Sequence, residues 1–244
     1  MRKKRGETPE EAMRRVTVEI ICRGIRYSHQ RRRPIYISKT SGGKGVEVTT
    51  LDPRTAEGKE RLEAFLTLVK RQYTITGLGA AEEPGAVNWR NLNMPYRRRL
   101  LVLLQVAVSL FMKGTPRKNR WYRWMGVHVG HGVEIMQMAW LDHFRPELIF
   151  IGDGTLVGAF SRLTVHAYEG AGRFRYGLIE IGSGCTLGAG TGVGPIKIGD
   201  GVRTLPGTTL SPYFARLPAG AVVGWSRPAI EAAGTAPEGE EPRE

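Results

Sequence analysis

Aliphatic residues recur every six positions between Val129 and Leu210. A glycine commonly follows the aliphatic residue, and a small or β-branched residue stands four places after it. A step of six matches neither the 3.6-residue period of a helix nor the simple alternation of a half-buried strand. It predicts short strands separated by tight corners, and three steps would close one triangular coil of about 18 residues.

Stacked coils predict three internal ladders of aliphatic side chains. The ladders are Val129, Ile151, Ile181 and Ile198; Ile135, Val157, Leu187 and Thr204; and Leu141, Leu163, Val193 and Leu210. The glycines are expected where a corner needs positive φ or close backbone approach, and the small residues, Ala167 among them, in the narrow interior. We therefore predict a mainly β fold, a parallel β-helix of about four to five coils over residues 127–228, in preference to unrelated strands joined by glycine-rich loops.

Residues 1–93 have a different pattern and are predicted to form an α+β or partly disordered N-terminal extension. Helices are expected over Pro9–Arg23, where Thr8 and Glu11 fit a capping box, and over Asp52–Tyr73, where apolar residues recur at helical spacing. The stretch between these helices alternates in polarity but is interrupted by glycines.

Residues 94–126 are predicted to be a basic amphipathic helical segment. The apolar run Leu100–Met112 is bounded by three arginines on one side and by cations interleaved with aromatic residues on the other. One interpretation is a helix that packs its apolar face on the following domain. The other is a helix that lies in an anionic headgroup layer, a peripheral membrane contact, because the run is shorter than the roughly 20 residues of a spanning helix.

The net charge of +13 is concentrated in the first half of the chain. Residues 1–124 hold 27 Lys and Arg against 11 Asp and Glu, whereas residues 229–244 are acidic and are expected to be a disordered tail. A basic flank can meet a membrane, a nucleic acid or an acidic partner. Because no nucleic-acid-binding motif accompanies it, we expect no nucleic acid partner.

The expected location is cytoplasmic, with a peripheral position at the inner membrane face if residues 94–126 bind lipid. The basic start of the chain is followed by acidic residues and not by the apolar stretch of a signal peptide. The two cysteines, Cys22 and Cys185, are too few for a disulfide framework, so both are expected to be thiols in a reducing compartment.

The stretch from Gly126 to Ile230 resembles the hexapeptide-repeat acyltransferases. The resemblance is carried by PELIFIGDGTLVGAFSRLTVHAY, RYGLIEIGSGCTLGAG and the closing LPAGAVVGWSRPAI. It implies a left-handed coil, a homotrimer with active sites between subunits, and a CoA-dependent acyltransferase. Acetyl-CoA is the expected donor, and the acceptor is expected to be a hydroxyl or amine of a small molecule or glycan. The alternative is a non-catalytic trimeric scaffold that docks through its basic N-terminal region to a membrane or an acidic partner.

His166 is the expected general base, because the resemblance places a catalytic histidine there and a histidine titrates near pH ~6.5. The period is interrupted just after it: 18 residues separate Leu163 from Ile181, so a loop of 12 extra residues, about Glu169–Glu180, is expected to leave the coil. Asp142, one coil earlier, is expected to orient the imidazole.

Other candidate site residues follow from their position and charge. Acceptor contacts are expected from His143, which neighbours Asp142, and from Arg173 and Arg175 on the extra loop, which could bind either an anionic acceptor or the phosphates of CoA. CoA is expected along the outside of the later coils, near Gly188, Ala189, Thr204 and Arg227, with the Gly188 and Ala189 amides suited to an oxyanion hole. No metal is expected, since His128 and His131 fall short of the three ligands that a catalytic zinc commonly takes.

Overall fold

The computed structural model describes residues 6–31, 35–38, 46–47, 54–68, 71–76, 96–111, 113–170, 173–210 and 216–224. The predicted acidic tail, residues 229–244, lies outside these ranges. The same is true of Arg227.

Helices and short strands alternate in the N-terminal part. They are α1 (Pro9–Arg31), β1 (Tyr36–Ser38), β2 (Val46–Glu47), α2 (Ala56–Leu68), β3 (Gln72–Thr76), α3 (Tyr96–Phe111) and α4 (Pro116–Met125). The predicted capping box is confirmed, because the Thr8 N–H donates to Glu11 Oε2 at 2.9 Å and the Glu11 N–H donates to Thr8 Oγ1 at 3.2 Å. The predicted end of the second helix at Tyr73 is wrong, because residues 72–76 pair as a strand with β1.

The segment predicted as one helical unit over residues 94–126 contains two helices. Thr115 begins α4: its side-chain oxygen accepts the Lys118 N–H, and Pro116 occupies the first turn. Gly126 ends α4 in the left-handed conformation, φ 119°. Among the described helices, none combines the length and apolarity that crossing a membrane requires.

Three parallel sheets of short strands form a left-handed β-helix. Its strands and the two strands of an inserted hairpin are, in chain order, β4 (His128–Val129), β5 (Glu134–Ile135), β6 (Trp140–Leu141), β7 (Ile149–Ile151), β8 (Leu156–Val157), β9 (Arg162–Leu163), β10 (His166–Gly170), β11 (Arg173–Gly177), β12 (Ile179–Ile181), β13 (Thr186–Leu187), β14 (Gly192–Val193), β15 (Ile196–Ile198), β16 (Arg203–Thr204), β17 (Thr209–Leu210), β18 (Arg216–Leu217) and β19 (Val222–Val223). The sheets hold five, five and four strands, so the described residues make four complete coils and begin a fifth.

All three predicted ladders are confirmed. In the first ladder Ile151 pairs with both Val129 and Ile181, and Ile181 pairs with Ile198. The other two ladders show the same register from coil to coil. These side chains are buried on the axis of the coil, where their removal from water supplies the main stabilisation of the solenoid.

Close approach, and not positive φ, explains the glycines that follow the aliphatic residues. A Cβ added at Gly152 would lie 2.5 Å from the backbone carbon of Gly182 in the next coil. Positive φ occurs two positions later instead, as at Gly154, whose φ is +63°. The corner Gly152–Gly154 therefore uses one glycine for stacking and another for the turn, whereas Met138 and Phe160 adopt the positive φ at two other corners.

The insertion after His166 is a β-hairpin and not a loop. Its second strand ends at Gly177 and the coil resumes at Ile179, so the predicted loop over Glu169–Glu180 is wrong in its conformation and in its last residue. Strands β10 and β11 pair antiparallel, and β11 also pairs with β3 of the N-terminal part. The hairpin thus joins an antiparallel sheet of order β10-β11-β3-β1-β2. Ala167 lies on this hairpin and not in the interior of the coil, which corrects its predicted position.

Helix α3 packs on the first coil through polar groups. The Gln105 side-chain amide donates to the Leu141 carbonyl at 2.7 Å, and the Ser109 carbonyl accepts the Met138 N–H at 3.0 Å. Gln105 and Ser109 are buried, whereas Leu103 and Phe111 are exposed. The interpretation in which this helix packs its apolar face on the following domain is therefore wrong.

Candidate active site

The stacking of two coils brings Asp142 and His166 together. Asp142 follows β6 and His166 begins β10, and the residues at the ends of β6 and β9, Leu141 and Leu163, are paired. The Asp142 N–H donates to the Leu163 carbonyl at 2.8 Å, which fixes the register between the two turns. As a result, His166 Nδ1 lies 2.5 Å from Asp142 Oδ2.

The Asp142 carboxylate is buried and held by backbone amides. Its Oδ1 accepts the N–H of Phe144 at 2.8 Å, and its Oδ2 accepts the N–H of Val165 at 2.9 Å. Burial alone would raise the pKa of Asp142, but the charge and hydrogen bond of His166 and the Phe144 N–H lower it below its ordinary 3.8. An ionised carboxylate can only accept hydrogen bonds. His166 Nδ1 must therefore carry the proton, which leaves Nε2 of the neutral ring as a proton acceptor.

Aromatic rings surround the imidazole on one side. The rings of Phe144 and His166 meet edge to face with centroids 4.8 Å apart, and His143 lies 4.2 Å from Phe144 and 5.3 Å from Trp140. Burial lowers the pKa of His143 below its ordinary 6.5; the His166 charge adds to this effect and Asp142 opposes it. His143 is therefore a neutral ring near pH 7, and its buried Nδ1 has no hydrogen-bond partner among the described residues.

Two clefts meet at His166. The aromatic cleft, of about 550 Å³, is lined by Met138, Trp140, Asp142, His143, Phe144, Phe160, Arg162, Thr164 and His166. The glycine cleft, of about 610 Å³, is lined by Phe160, Arg162, Thr164, His166, Ala167, Gly190, Gly192, Val193, Gly194, Pro195, Thr209 and Leu210. His166 is thus accessible from both clefts.

Both clefts run along the outer face of one sheet. Trp140, Arg162, Gly192 and Thr209 pair in succession along strands β6, β9, β14 and β17, one residue before the buried ladder. Since neighbouring residues of a strand point to opposite faces, these residues face outwards. The side of the sheet changes from a large ring at Trp140 to no side chain at Gly192, which makes one end of the site aromatic and the other open.

The N-terminal part supports the wall of the aromatic cleft. His143 and Phe144 belong to a turn that lengthens the first coil before a short 3₁₀ helix, Pro146–Leu148. The Arg145 side chain of this turn is fully buried, and its guanidinium lies 3.2 Å from Glu19 Oε2 of α1. Helix α1 therefore anchors the turn that carries His143.

Sequence comparison finds a relative of this chain in Bacillus subtilis (strain 168). The chain is 28% identical over 133 residues to the protein YvoF, which is named as an acetyltransferase; the match covers 54% of this chain and 75% of the relative. In addition to this sequence similarity, the chain has a coil that is built on a six-residue repeat. The chain is thus similar to the hexapeptide-repeat acetyltransferases in sequence and in the architecture of its coil. The likeness to an acetyltransferase supports the predicted enzyme class, an acyltransferase.

Two solved structures of acetyltransferases are similar to this chain. The hexapeptide-repeat-containing acetyltransferase VCA0836 from Vibrio cholerae is 15% identical, with a TM-score of 0.42, over 52% of this chain and 85% of that chain. Serine acetyltransferase isoform 3 from Entamoeba histolytica, in complex with cysteine, is 15% identical, with a TM-score of 0.23, over 85% of this chain and 57% of that chain. No protein-family model matches the chain.

Of the residues predicted to contact CoA, the structure describes Gly188, Ala189 and Thr204, which lie beside the glycine cleft or inside the coil. The Gly188 N–H donates to Thr204 Oγ1 at 2.9 Å, and the Thr204 hydroxyl lies 2.9 Å from that of Thr191. Gly188 and Thr204 are therefore engaged within the solenoid, so the Gly188 amide is not available to an oxyanion in this arrangement. Ala189 directly precedes Gly190, which lines the glycine cleft.

The hairpin arginines do not line either cleft. Arg175 forms an ion pair with Glu169 across the hairpin, and Arg173 is half-buried on the same strand. Arg162, which the sequence analysis missed, is exposed and lines both clefts. Its signal was available: it stands one place before a ladder residue, where the alternation of a strand predicts an outward side chain.

Two further histidines, His128 and His131, lie away from this site. The His128 ring stacks on Phe150 with centroids 3.9 Å apart, and its Nε2 lies 3.8 Å from Glu7. His131 is exposed at a corner of the first coil. Over the described ranges, no group of three His, Cys, Asp or Glu side chains converges in the manner of a metal site.

Proposed function

We propose that this enzyme transfers an acetyl group from acetyl-CoA to a hydroxyl or amine acceptor, with His166 as the general base. The observation that carries the proposal is the contact between His166 and the buried, ionised Asp142 at the junction of two clefts. A general base for acyl transfer must contact the acceptor while the acyl donor lies next to it, and the junction of two clefts provides such a position.

The reaction follows from the protonation state of the pair. His166 Nε2 takes the acceptor proton as the acceptor oxygen or nitrogen attacks the thioester carbonyl. The carbon–sulfur bond then breaks, and the proton passes from His166 to the departing thiolate, so that CoA leaves as a thiol. Asp142 holds the Nδ1 proton in place throughout and stabilises the transient imidazolium.

The two clefts suit different substrates. We assign acetyl-CoA to the glycine cleft, because the missing side chains at Gly190 and Gly192 leave room for an extended chain along the sheet, with Ala189 and Arg227 as further proposed contacts. We assign the acceptor to the aromatic cleft, where Trp140 and Phe144 offer flat apolar faces and His143 an unpaired nitrogen.

The remaining contacts and the assembly are also part of the proposal. Arg173 and Arg175 are proposed contacts for an anionic acceptor that approaches from the hairpin. Gly188 and Thr204 would support the donor cleft from the interior of the coil. We propose a homotrimer in the cytoplasm, in keeping with the family resemblance and with a chain that has only two cysteines.

The test compares acetyl-CoA turnover by the wild type and by His166→Ala, measured as release of the CoA thiol in the presence of sugar and amine acceptors. The variant should lose about 100-fold or more of kcat. A thermal-shift titration should show that the variant still binds acetyl-CoA. His131→Ala, which removes an exposed histidine from another corner, is the matched control and should keep wild-type turnover. Unchanged turnover in His166→Ala would exclude the proposed base.

A further inference from the structure

Helix α3 turns its apolar face away from the protein. Leu103 is 71% exposed and Phe111 is 85% exposed, and Leu104, Val106 and Leu110 are exposed as well. At 100° per residue these positions fall on one side of the helix, opposite Gln105 and Ser109, which hold α3 on the first coil. A contiguous apolar surface of this kind marks a site of interaction.

Positive charge accompanies this apolar face. Residues 96–124 contain eight Lys and Arg and no Asp or Glu. Lys113, Arg117 and Arg120, which follow α3 or lie on α4, are exposed. Trp124, also on α4, is 64% exposed, and tryptophan favours the boundary between water and lipid. The surface thus combines apolar side chains, exposed cations and an interfacial aromatic residue.

We propose that this α3–α4 surface docks on an anionic membrane, with the apolar side chains of α3 among the lipids and the cations at the headgroups. Exposed Lys and Arg next to inserted apolar residues are the combination that binds such membranes peripherally. A symmetric contact with the α3–α4 surface of a second copy is less suitable, because that surface would bring a like charge to the contact.

Docking would place the proposed active site beside the membrane. Gln105 contacts the Leu141 carbonyl, next to Asp142, and Ser109 contacts Met138, which lines the aromatic cleft. Helix α3 therefore runs along the edge of the aromatic cleft, within about one helix diameter, roughly 10 Å. An acceptor group carried on a lipid would suit this geometry. This step about the acceptor rests on the proposed acetyltransferase function, whereas the docking does not.

Vesicle co-sedimentation of the full chain tests the proposal. The wild type should sediment with vesicles of phosphatidylcholine mixed with phosphatidylglycerol, and much less with phosphatidylcholine alone. Leu110→Ser combined with Phe111→Ser should weaken binding on the order of tenfold. Arg117→Glu should weaken it by about fivefold or more. Val222→Ser and Arg216→Glu, which change an exposed apolar residue and an exposed cation on the last coil, are the matched controls and should bind as the wild type.

The outcomes separate docking from catalysis and from self-association. His166→Ala should bind vesicles as the wild type, so a failed acetyltransferase assay would leave the docking result intact. Light scattering on the same variants reports the oligomeric state. The proposal is overturned if the wild type binds neither kind of vesicle. It is also overturned if Leu110→Ser with Phe111→Ser dissociates an oligomer, because the α3–α4 surface would then be a contact between copies of the chain.

Discussion

Replacing Asp142 with asparagine removes the negative charge beside His166 and leaves the shape of the side chain at position 142 almost unchanged. Both carboxylate oxygens are in use: Oδ1 accepts the Phe144 N–H, and Oδ2 accepts the Val165 N–H and contacts His166 Nδ1. An amide has one acceptor oxygen and two N–H donors. In either orientation one backbone N–H therefore faces another donor. If the amide nitrogen takes the Oδ2 position, it donates to Nδ1 and moves the imidazole proton to Nε2, where the base must be unprotonated.

The substitution should have two measurable effects. Loss of one charge-assisted hydrogen bond costs about 1.5–3 kcal/mol, which corresponds to a fall of about 10- to 150-fold in kcat/KM for acyl transfer. The backbone N–H left without an acceptor should lower the free energy of unfolding by about 1–3 kcal/mol. The KM for acetyl-CoA should stay the same, because Asp142 lines the aromatic cleft and not the glycine cleft.

The assay is the initial rate of CoA thiol release, recorded well below the melting temperature of the variant. Asp153→Asn is the matched control, because the Asp153 carboxylate accepts the His131 N–H at 2.7 Å at a different corner of the coil from His166. It should keep the wild-type rate. Wild-type kcat/KM in Asp142→Asn would refute the assigned pair, and an equal loss in Asp153→Asn would show that the effect is not specific to it.

The ionisation of Asp142 also has a consequence for stability. Its pKa in the folded chain is below the ordinary 3.8, so its contribution to the free energy of unfolding is complete at neutral pH and is lost as the pH falls below that value. Urea titrations of the wild type between neutral and acidic pH should show this loss. Asp142→Asn should lack this component of the pH dependence. A variant with the acid profile of the wild type would contradict the assignment.

Three further predictions test the solenoid and the donor cleft. Gly192→Ala should raise the KM for acetyl-CoA by about tenfold or more without lowering the melting temperature, because the new methyl would make only ordinary contacts, 3.5 Å from the Thr209 hydroxyl, yet would stand in the glycine cleft. In urea titrations, Gly152→Ala should cost about 3 kcal/mol or more through its clash with the next coil, whereas Gly154→Ala, strained only by its positive φ, should cost about 1 kcal/mol. Burial lowers the pKa of Lys118 to about 8 from 10.5, so melting temperatures should show a stability component that rises with pH between these values and is absent in Lys118→Met.

The solenoid could be predicted from the sequence because its period is local. Each aliphatic residue meets its equivalent in the next coil, so a spacing of six along the chain fixes the ladders, from Val129 to Leu210. The family resemblance indicated His166, and the period then placed Asp142 beside it, one coil earlier. The pairing of Leu141 with Leu163 accounts for the contact of 2.5 Å between His166 Nδ1 and Asp142 Oδ2.

The parts that local pattern failed to predict depend on pairing with distant residues. Residues 72–76 and 173–177 became strands because they pair with each other across about a hundred positions, which no short window reveals. The orientation of α3 was also predicted incorrectly by one interpretation. Its polar Gln105 finds a carbonyl on the first coil, and this contact turns the apolar side outwards.

The boundary predicted between the N-terminal extension and the β-helix separates residues that work together. Strand β3 pairs with the hairpin that His166 begins, and Glu180, which belongs to the first strand after the hairpin, lies 2.9 Å from Arg71 and 2.5 Å from Lys197. Glu19 of α1 lies against Arg145 on the turn that carries His143. The solenoid thus supplies the base and its carboxylate, while the N-terminal part fixes the two insertions beside them. The aromatic cleft, the proposed acceptor site, therefore depends on both parts of the chain: the coil lines it through Trp140 and Arg162, and the packing of the extension holds the turn that carries His143 and Phe144.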